Sequence, residues 1–186
     1  MVICLYGASS EKIHPDYITG VEALGRAMGR RGHALLFGGG DKGLMGAAAR
    51  GTKAAGGAVI GGAPRFFNVD GVLYPHCDKF YYTDTMRERK QILEDQADAF
   101  VAVPGGIGTF DELFEILTLR QLGRHGKPVV LLNLRGYFDP LLALLDKAIE
   151  EGFLKEECRA LWAAFSEEEA LLDFLEGYSG EQKFYK

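Results

Sequence analysis

Residues 99–122 read AFVAVPGGIGTFDELFEILTLRQL, and the order of residue types in this stretch decides the architecture. Ala99 to Val103 is a short, unbroken apolar run. A glycine-rich turn follows, and from Thr109 to Leu122 the apolar residues recur at helical spacing. A strand that is apolar at every position has both faces buried, as in a parallel sheet covered by helices on each side.

The same alternation runs outward in both directions. Toward the N-terminus, Val2 to Tyr6, Ala34 to Phe37, Ala58 to Ile60 and Phe80 to Tyr82 read as strands. Between them, helices are predicted from Pro15 through Met28, from about Leu44 to Ala55, and from Met86 to Ala97. Toward the C-terminus come a strand at Val129 to Leu132, a helix at Phe138 to Glu150 and a short strand at Ala163 to Phe165. Ser166 and Glu169 have the spacing of a capping box for a last helix ending near Gly177. Residues 64 to 77 read as loop. The pattern predicts a Rossmann-like, doubly wound α/β fold, a parallel sheet flanked by helices, in a single domain over 1–186. Ligands of such folds bind beyond the carboxyl ends of the strands.

Composition narrows the function classes. The 186 residues are 47% hydrophobic and 25% charged, with a net charge of −5. A general nucleic-acid binder needs a basic face to neutralise phosphates, so none is expected. No apolar run approaches the roughly 20 residues of a membrane span, and the first residues lack the charged and apolar regions of a signal peptide, so none is expected. Three cysteines without CxxC spacing suit reduced thiols, so a cytoplasmic protein is expected. The four histidines lack metal-ligand spacing, and no metal is expected. Glycine is the outlier: 25 residues, nearly twice the usual share of roughly 7%.

Many of these glycines sit in two loops. Gly38-Gly39-Gly40 through Gly43 forms a formal G-x-G-x-x-G. It follows the second strand rather than the first, and residues 56 to 63 offer no acid for a ribose, which disfavours a nicotinamide dehydrogenase. The glycine of Gly-Lys-Ser/Thr is missing, which disfavours a P-loop. Pro104 to Glu112 is more informative. Backbone N–H groups where a strand turns into a helix can converge on an anion, and glycines let a phosphate approach. Thr109 offers a hydroxyl or a helix cap, and Glu112 and Glu115 follow on nearly one face. Thr85 and Glu88 form a second predicted capping box. The helix it starts carries Arg87, Arg89 and Lys90 in its first turns, the wrong sign for that end of the dipole. Pairing of Lys90 with Glu94 offsets part of the cost, and the rest is expected to face an anionic ligand.

Met86-Arg87-Glu88-Arg89-Lys90 followed by Pro104-Gly105-Gly106-Ile107-Gly108-Thr109-Phe110-Asp111-Glu112 resembles the paired M-x-x-R-K and P-G-G-x-G-T-x-x-E motifs of the Lonely Guy family. Those proteins are cytokinin riboside 5′-monophosphate phosphoribohydrolases, often labelled lysine decarboxylases. The resemblance extends over nearly the whole chain, including Ser9-Ser10, Gly38 to Gly46 and Gly136-Tyr137-Phe138. It implies a catalytic pair, Arg89 and Glu112, and a phosphate loop of Gly105, Gly106, Gly108 and Thr109. Met86, Lys90 and Glu115 fall on neighbouring pocket positions, with Ser9, Gly39 and Gly40 beside the substrate. It also implies a homodimer and no metal or organic cofactor. The expected reaction is hydrolysis of a purine nucleoside 5′-monophosphate, an N6-modified adenine nucleotide among the candidates, to free base and ribose 5-phosphate. Two rivals remain: a non-catalytic nucleotide-binding module, and a decarboxylase, for which no lysine stands out as a pyridoxal phosphate anchor.

Overall fold

In the computed structural model, residues 1–180 are described. The strands are β1 (Val2–Tyr6), β2 (Ala34–Phe37), β3 (Val59–Pro64), β4 (Lys79–Thr83), β5 (Ala99–Ala102), β6 (Val129–Leu132) and β7 (Ala163–Phe165). The helices are α1 (Pro15–Arg30), α2 (Gly43–Ala54), α3 (Met86–Gln96), α4 (Ile107–Gln121), α5 (Asp139–Glu150) and α6 (Glu168–Glu176). All seven strands join one sheet in the order β4-β3-β2-β1-β5-β6-β7, and every neighbouring pair is parallel. The doubly wound parallel sheet expected from the apolar runs is therefore present.

Burial on both faces follows the two-residue period of a strand. Ile3 and Leu5 of β1, Leu35 and Phe37 of β2, and Val130 and Leu132 of β6 enter a cluster with Leu24 of α1, Ala48 of α2 and Leu172 of α6. The intervening Cys4, Tyr6, Leu36, Val129 and Leu131 enter the opposite cluster, with Leu93 of α3 and Leu113 of α4. Helices α3 and α4 thus lie on the same face, which is what allows side chains they carry to meet.

The abundance of glycine has a packing cause at α1 and α2. A Cβ on Gly25 would fall 2.3 Å from the Ala48 carbonyl oxygen, and one on Gly51 would fall 2.2 Å from that of Glu22. The two helices touch backbone to backbone.

Three local expectations need correcting. First, β3 runs on to Pro64, because Gly61 and Gly62 pair with β4 instead of ending the strand. Second, α4 starts at Ile107 with Gly106 as its cap residue, so Thr109 is a buried third residue and caps nothing. Third, the Ser166–Glu169 capping box does not form. Glu167 occupies the cap without a side-chain bond, while the Glu169 carboxylate pairs with Arg30 at 3.0 Å and Arg31 at 2.5 Å, tying α6 to the end of α1. Residues 65–67 form one 3-10 turn within the stretch read as loop.

The chain winds outward from β1 through β4, then crosses back to β5 on the other side of β1. The strand order therefore reverses between β1 and β5, and the loops leaving these two strands diverge to open a crevice.

Candidate functional site

The crevice lies at that reversal and has a volume of about 630 Å³. Loops leaving four adjacent strands build it: Gly7 to Ser9 after β1, Gly38 to Lys42 after β2, Phe67 to Leu73 after β3, and Gly106 to Thr109 after β5. The exits of β3 and β5 are three strands apart, roughly 14 Å at about 4.8 Å per strand.

On the β5 side the wall is the N-terminus of α4. Gly106 has no side chain to bond the first turn, so those N–H groups are available to an anion. A Cβ built on Gly106 or Gly108 meets nothing within 4 Å, so there is room for a ligand. Thr109 packs against Gly105, where a Cβ would come within 2.0 Å of its hydroxyl oxygen. The loops on either side are cross-tied: Ala8 N–H donates to Pro104 O at 3.1 Å, and Leu44 N–H to Ala8 O at 2.8 Å.

On the β3 side the wall is the segment Asp70–Leu73, with Phe67 beside it. This segment is pinned across the loop after β2. Asp41 N–H donates to Val72 O at 3.0 Å, and Tyr74 N–H donates to Gly39 O at 2.8 Å, around an antiparallel bridge between Gly40 and Leu73. With Met45 and Met86, Phe67 and Val72 give this end an apolar character.

Between the two walls sits an ion pair. Arg89 Nη1 lies 2.7 Å from Glu112 Oε1, with the two side chains only 10% and 11% exposed. Arg89 comes from the first turns of α3, set in place by the Thr85–Glu88 capping box, which forms as predicted. Its Nε donates to the Gly62 carbonyl oxygen at 3.2 Å. Its other terminal nitrogen passes so close to Gly38 that a Cβ there would lie 2.4 Å away. Gly38→Ala is accordingly expected to push the guanidinium off Glu112. A misplacement on the order of 1 Å costs about 10²-fold in catalytic rate. An unchanged kcat in that variant would show that the guanidinium is not confined as described.

A helix starting at Thr109 would put Glu112 in its first turn, where the dipole favours the ionised form. With α4 starting at Ile107 it is the sixth helical residue, two residues further in and past the first turn, and burial dominates. Desolvation raises its pKa above the ordinary 4.5, and the charge and hydrogen bond of Arg89 pull in the opposite direction.

Of the residues predicted for the site, the crevice lining brings together Ser9, Gly40, Met86, Arg89, Gly106, Gly108, Thr109 and Glu112. Gly39 and Gly105 belong to the same loops, behind the lining; Gly39 holds the bridge to Tyr74. Lys90 and Glu115 lie outside it, in an adjoining groove with Ile107, Phe110 and Phe114. The expected Lys90–Glu94 pair does not form. Lys90 reaches across to α4 instead, 2.7 Å from Glu115 and 3.1 Å from Asp111. The three cations of α3 thus diverge: Arg89 into the crevice, Lys90 onto α4 and Arg87 to solvent.

Sequence reasoning missed Gly62 and Asp70–Leu73; Phe67 could be read as lining a base pocket, but core packing is what its residue type favours, and the structure leaves it exposed at the crevice. A signal existed for Gly62, since glycine inside a strand marks a close approach. The others belong to a loop with no periodicity. Among the described residues, no group of three or more His, Cys, Asp or Glu is arranged to hold a metal, and no helix is long and apolar enough to cross a membrane.

A doubly wound α/β protein with a glycine-walled crevice at its strand-order reversal, floored by an Arg–Glu pair, belongs to the class of open-sheet proteins whose ligands bind at that reversal. The family model described as "Possible lysine decarboxylase" matches residues 45–175. A rice protein (Oryza sativa subsp. japonica) described as a probable cytokinin riboside 5′-monophosphate phosphoribohydrolase is 38% identical over 177 residues, 95% of this chain and 79% of its own. An Arabidopsis thaliana cytokinin riboside 5′-monophosphate phosphoribohydrolase is 37% identical over 176 residues, 95% of this chain and 83% of its own. This chain belongs to the Lonely Guy family.

Among solved structures, the molybdenum cofactor binding protein of Rippkaea orientalis matches with a TM-score of 0.72 at 24% identity, covering 94% of each chain. The molybdenum cofactor carrier of Chlamydomonas reinhardtii matches at 0.71 and 24%, again over 94% of each. These likenesses concern the fold alone. The decarboxylase label finds no support in the crevice. The lysine that lines it, Lys42, is exposed and pairs at 3.7 Å with the equally exposed Glu11, a poor setting for a Schiff base, which needs a desolvated amine.

Proposed function

We propose that this protein hydrolyses the N-glycosidic bond of a purine nucleoside 5′-monophosphate, releasing the free base and ribose 5-phosphate. The observation that carries the reading is the Arg89–Glu112 pair on the floor of a crevice whose β5 wall is an uncapped helix N-terminus. A phosphate at Gly106 and Gly108 would be held by backbone N–H groups. The ribose would then lie over Glu112, and the base would reach the apolar β3 wall. The names of the relatives favour an N6-modified adenine nucleotide of the cytokinin type as substrate.

Breaking the C1′–N bond develops oxocarbenium charge on the ribose. The Glu112 carboxylate stands where it would stabilise that charge and take a proton from the attacking water. The water oxygen bonds to C1′, the bond electrons leave with the base nitrogen, and one proton ends on the base. Burial makes Glu112 a stronger base than a surface carboxylate, which suits proton transfer near neutral pH. Arg89 holds the acid in place and balances its charge.

No metal or organic cofactor has a role in this scheme. We place its action in the cytoplasm, where the three free thiols would stay reduced. We propose a homodimer; the exposed apolar residues Ile107, Phe114 and Leu122 on or at the end of α4 would suit contact with a second copy.

The test is to compare AMP, other monophosphates and an N6-isopentenyl analogue with their phosphate-free nucleosides. Two or more charge-assisted hydrogen bonds to phosphate amount to about 3 kcal/mol, or a loss of about a hundredfold in kcat/KM for the nucleosides. Equal rates on AMP and adenosine would refute the phosphate site. A non-catalytic nucleotide-binding module is the second reading, since molybdenum cofactor carriers share the fold; such a module needs the glycine loops but not Glu112.

A further inference from the structure

The phosphate loop has a side-chain anchor outside the paired M-x-x-R-K and P-G-G-x-G-T-x-x-E motifs. The Tyr137 hydroxyl donates a hydrogen bond to the carbonyl oxygen of Gly105. That carbonyl belongs to the same peptide unit as the N–H of Gly106, and in a trans peptide the two point in opposite directions. No cis peptide occurs among the described residues. Fixing the Gly105 oxygen on the Tyr137 side therefore turns the Gly106 N–H to the other side of the chain, and Gly106 lines the crevice.

We propose that Tyr137 is a positioning residue for the phosphate-binding loop, acting through the orientation of the Gly105–Gly106 peptide. The inference rests on the reading of that loop as the phosphate site. A loop containing Gly105, Gly106 and Gly108 has wide backbone freedom, so an external restraint has a specific job there. It holds one conformer before the ligand arrives and removes an ordering cost from binding.

The chain goes to some trouble to deliver this tyrosine. After β6 it makes a 3-10 turn in which Arg135 has φ 55°, the single non-glycine residue with positive φ among those described, followed by Gly136 at φ 69°. L residues other than Asn and Asp rarely adopt that conformation. Contacts on both sides hold the turn. Arg135 pairs with Asp16 of α1 at 2.5 Å. The Asn133 side chain accepts from Phe138 N–H and donates to Asp139, each at 2.7 Å. The Tyr137 ring is itself wedged edge-on between Tyr17, 6.1 Å away, and Phe138, 5.1 Å away. Its hydroxyl is thus delivered from a rigid mount.

Tyr137→Phe keeps the ring contacts and deletes only the donor. Two measurements are made on wild type and variant: calorimetric binding of ribose 5-phosphate, and kcat and KM for AMP and adenosine. Loss of one neutral hydrogen bond predicts about a five- to tenfold weaker ribose 5-phosphate complex and a matching rise in KM for AMP. The kcat on AMP and the slow rate on adenosine should stay nearly unchanged, whereas a merely structural defect would lower activity on both. Unchanged ribose 5-phosphate affinity in the variant overturns the proposal even if the wild type cleaves AMP. If the wild type binds ribose 5-phosphate without cleaving AMP, the hydrolase reading fails and the binding comparison still decides on Tyr137. A wild type that does not bind ribose 5-phosphate overturns both.

Discussion

Replacing Glu112 with glutamine is expected to lower kcat on AMP by about 10³-fold while leaving nucleotide binding within a few-fold of wild type. The substitution is nearly isosteric, and its amide oxygen can still accept from Arg89 Nη1, now 2.7 Å from the carboxylate. What disappears is the negative charge facing C1′ and the capacity to take a proton. Binding should persist because the proposed phosphate contacts are backbone N–H groups of another turn. The pH profile supplies a second readout. The working form is the carboxylate, so kcat/KM should fall as pH drops through a pKa raised above 4.5 by burial. That limb should be absent from the residual activity of Glu112→Gln. Wild-type turnover in this variant would remove the carboxylate from the mechanism and leave the nucleotide-binding module as the better description.

The second large effect is expected at the partner. Arg89→Met fills a similar volume but leaves Glu112 without its counter-charge in a site that is only about one-tenth exposed. Breaking a buried pair costs about 3–5 kcal/mol when a charge is stranded. The crevice admits water and the acid can take up a proton, so about 2–3 kcal/mol at pH 8 is a fairer figure. Without Arg89 the folded-state pKa of Glu112 climbs further, since the two influences that lower it most are both that arginine. The folded chain then holds a proton that the unfolded chain releases near 4.5, so stability falls as pH rises from there through the raised pKa. Chemical denaturation should therefore show a larger deficit at pH 8 than at pH 5. Adding Glu112→Gln to Arg89→Met should restore most of the stability and none of the activity. A double variant no more stable than the single would show that the deficit arises from packing and not from charge.

How far the sequence reaches can be judged from particular elements. The buried strands were legible because each is apolar throughout, and the start of α3 because Thr85 and Glu88 satisfy each other locally. Features that depend on distant partners were not. Glu169 has capping-box spacing from Ser166, yet two arginines at the end of α1 are available to it and win. Lys90 has an acid four residues away in Glu94, yet α4 offers two at hydrogen-bonding distance. The start of α4 was read two residues late because threonine is a good cap and glycine was assigned to the turn. In this fold the cap is Gly106 and no side chain closes that end. Arg89 and Glu112 stood out through charge at an unfavourable helix end and through family resemblance. Their meeting required α3 and α4 to cover one face of the sheet, which is a property of strand order and not of local pattern.

The bridge between Gly40 and Leu73 has a consequence for how such a protein can change its diet. The stretch from Asp70 to Leu73 is fastened to the neighbouring turn through main-chain atoms, so its side chains can be exchanged without loosening the wall they hang from. The loop proposed to hold the phosphate is a different one, about 14 Å away across the strand tips. If the proposed function holds, substitutions at Val72 should therefore change which base fits while leaving Arg89 and Glu112 in place.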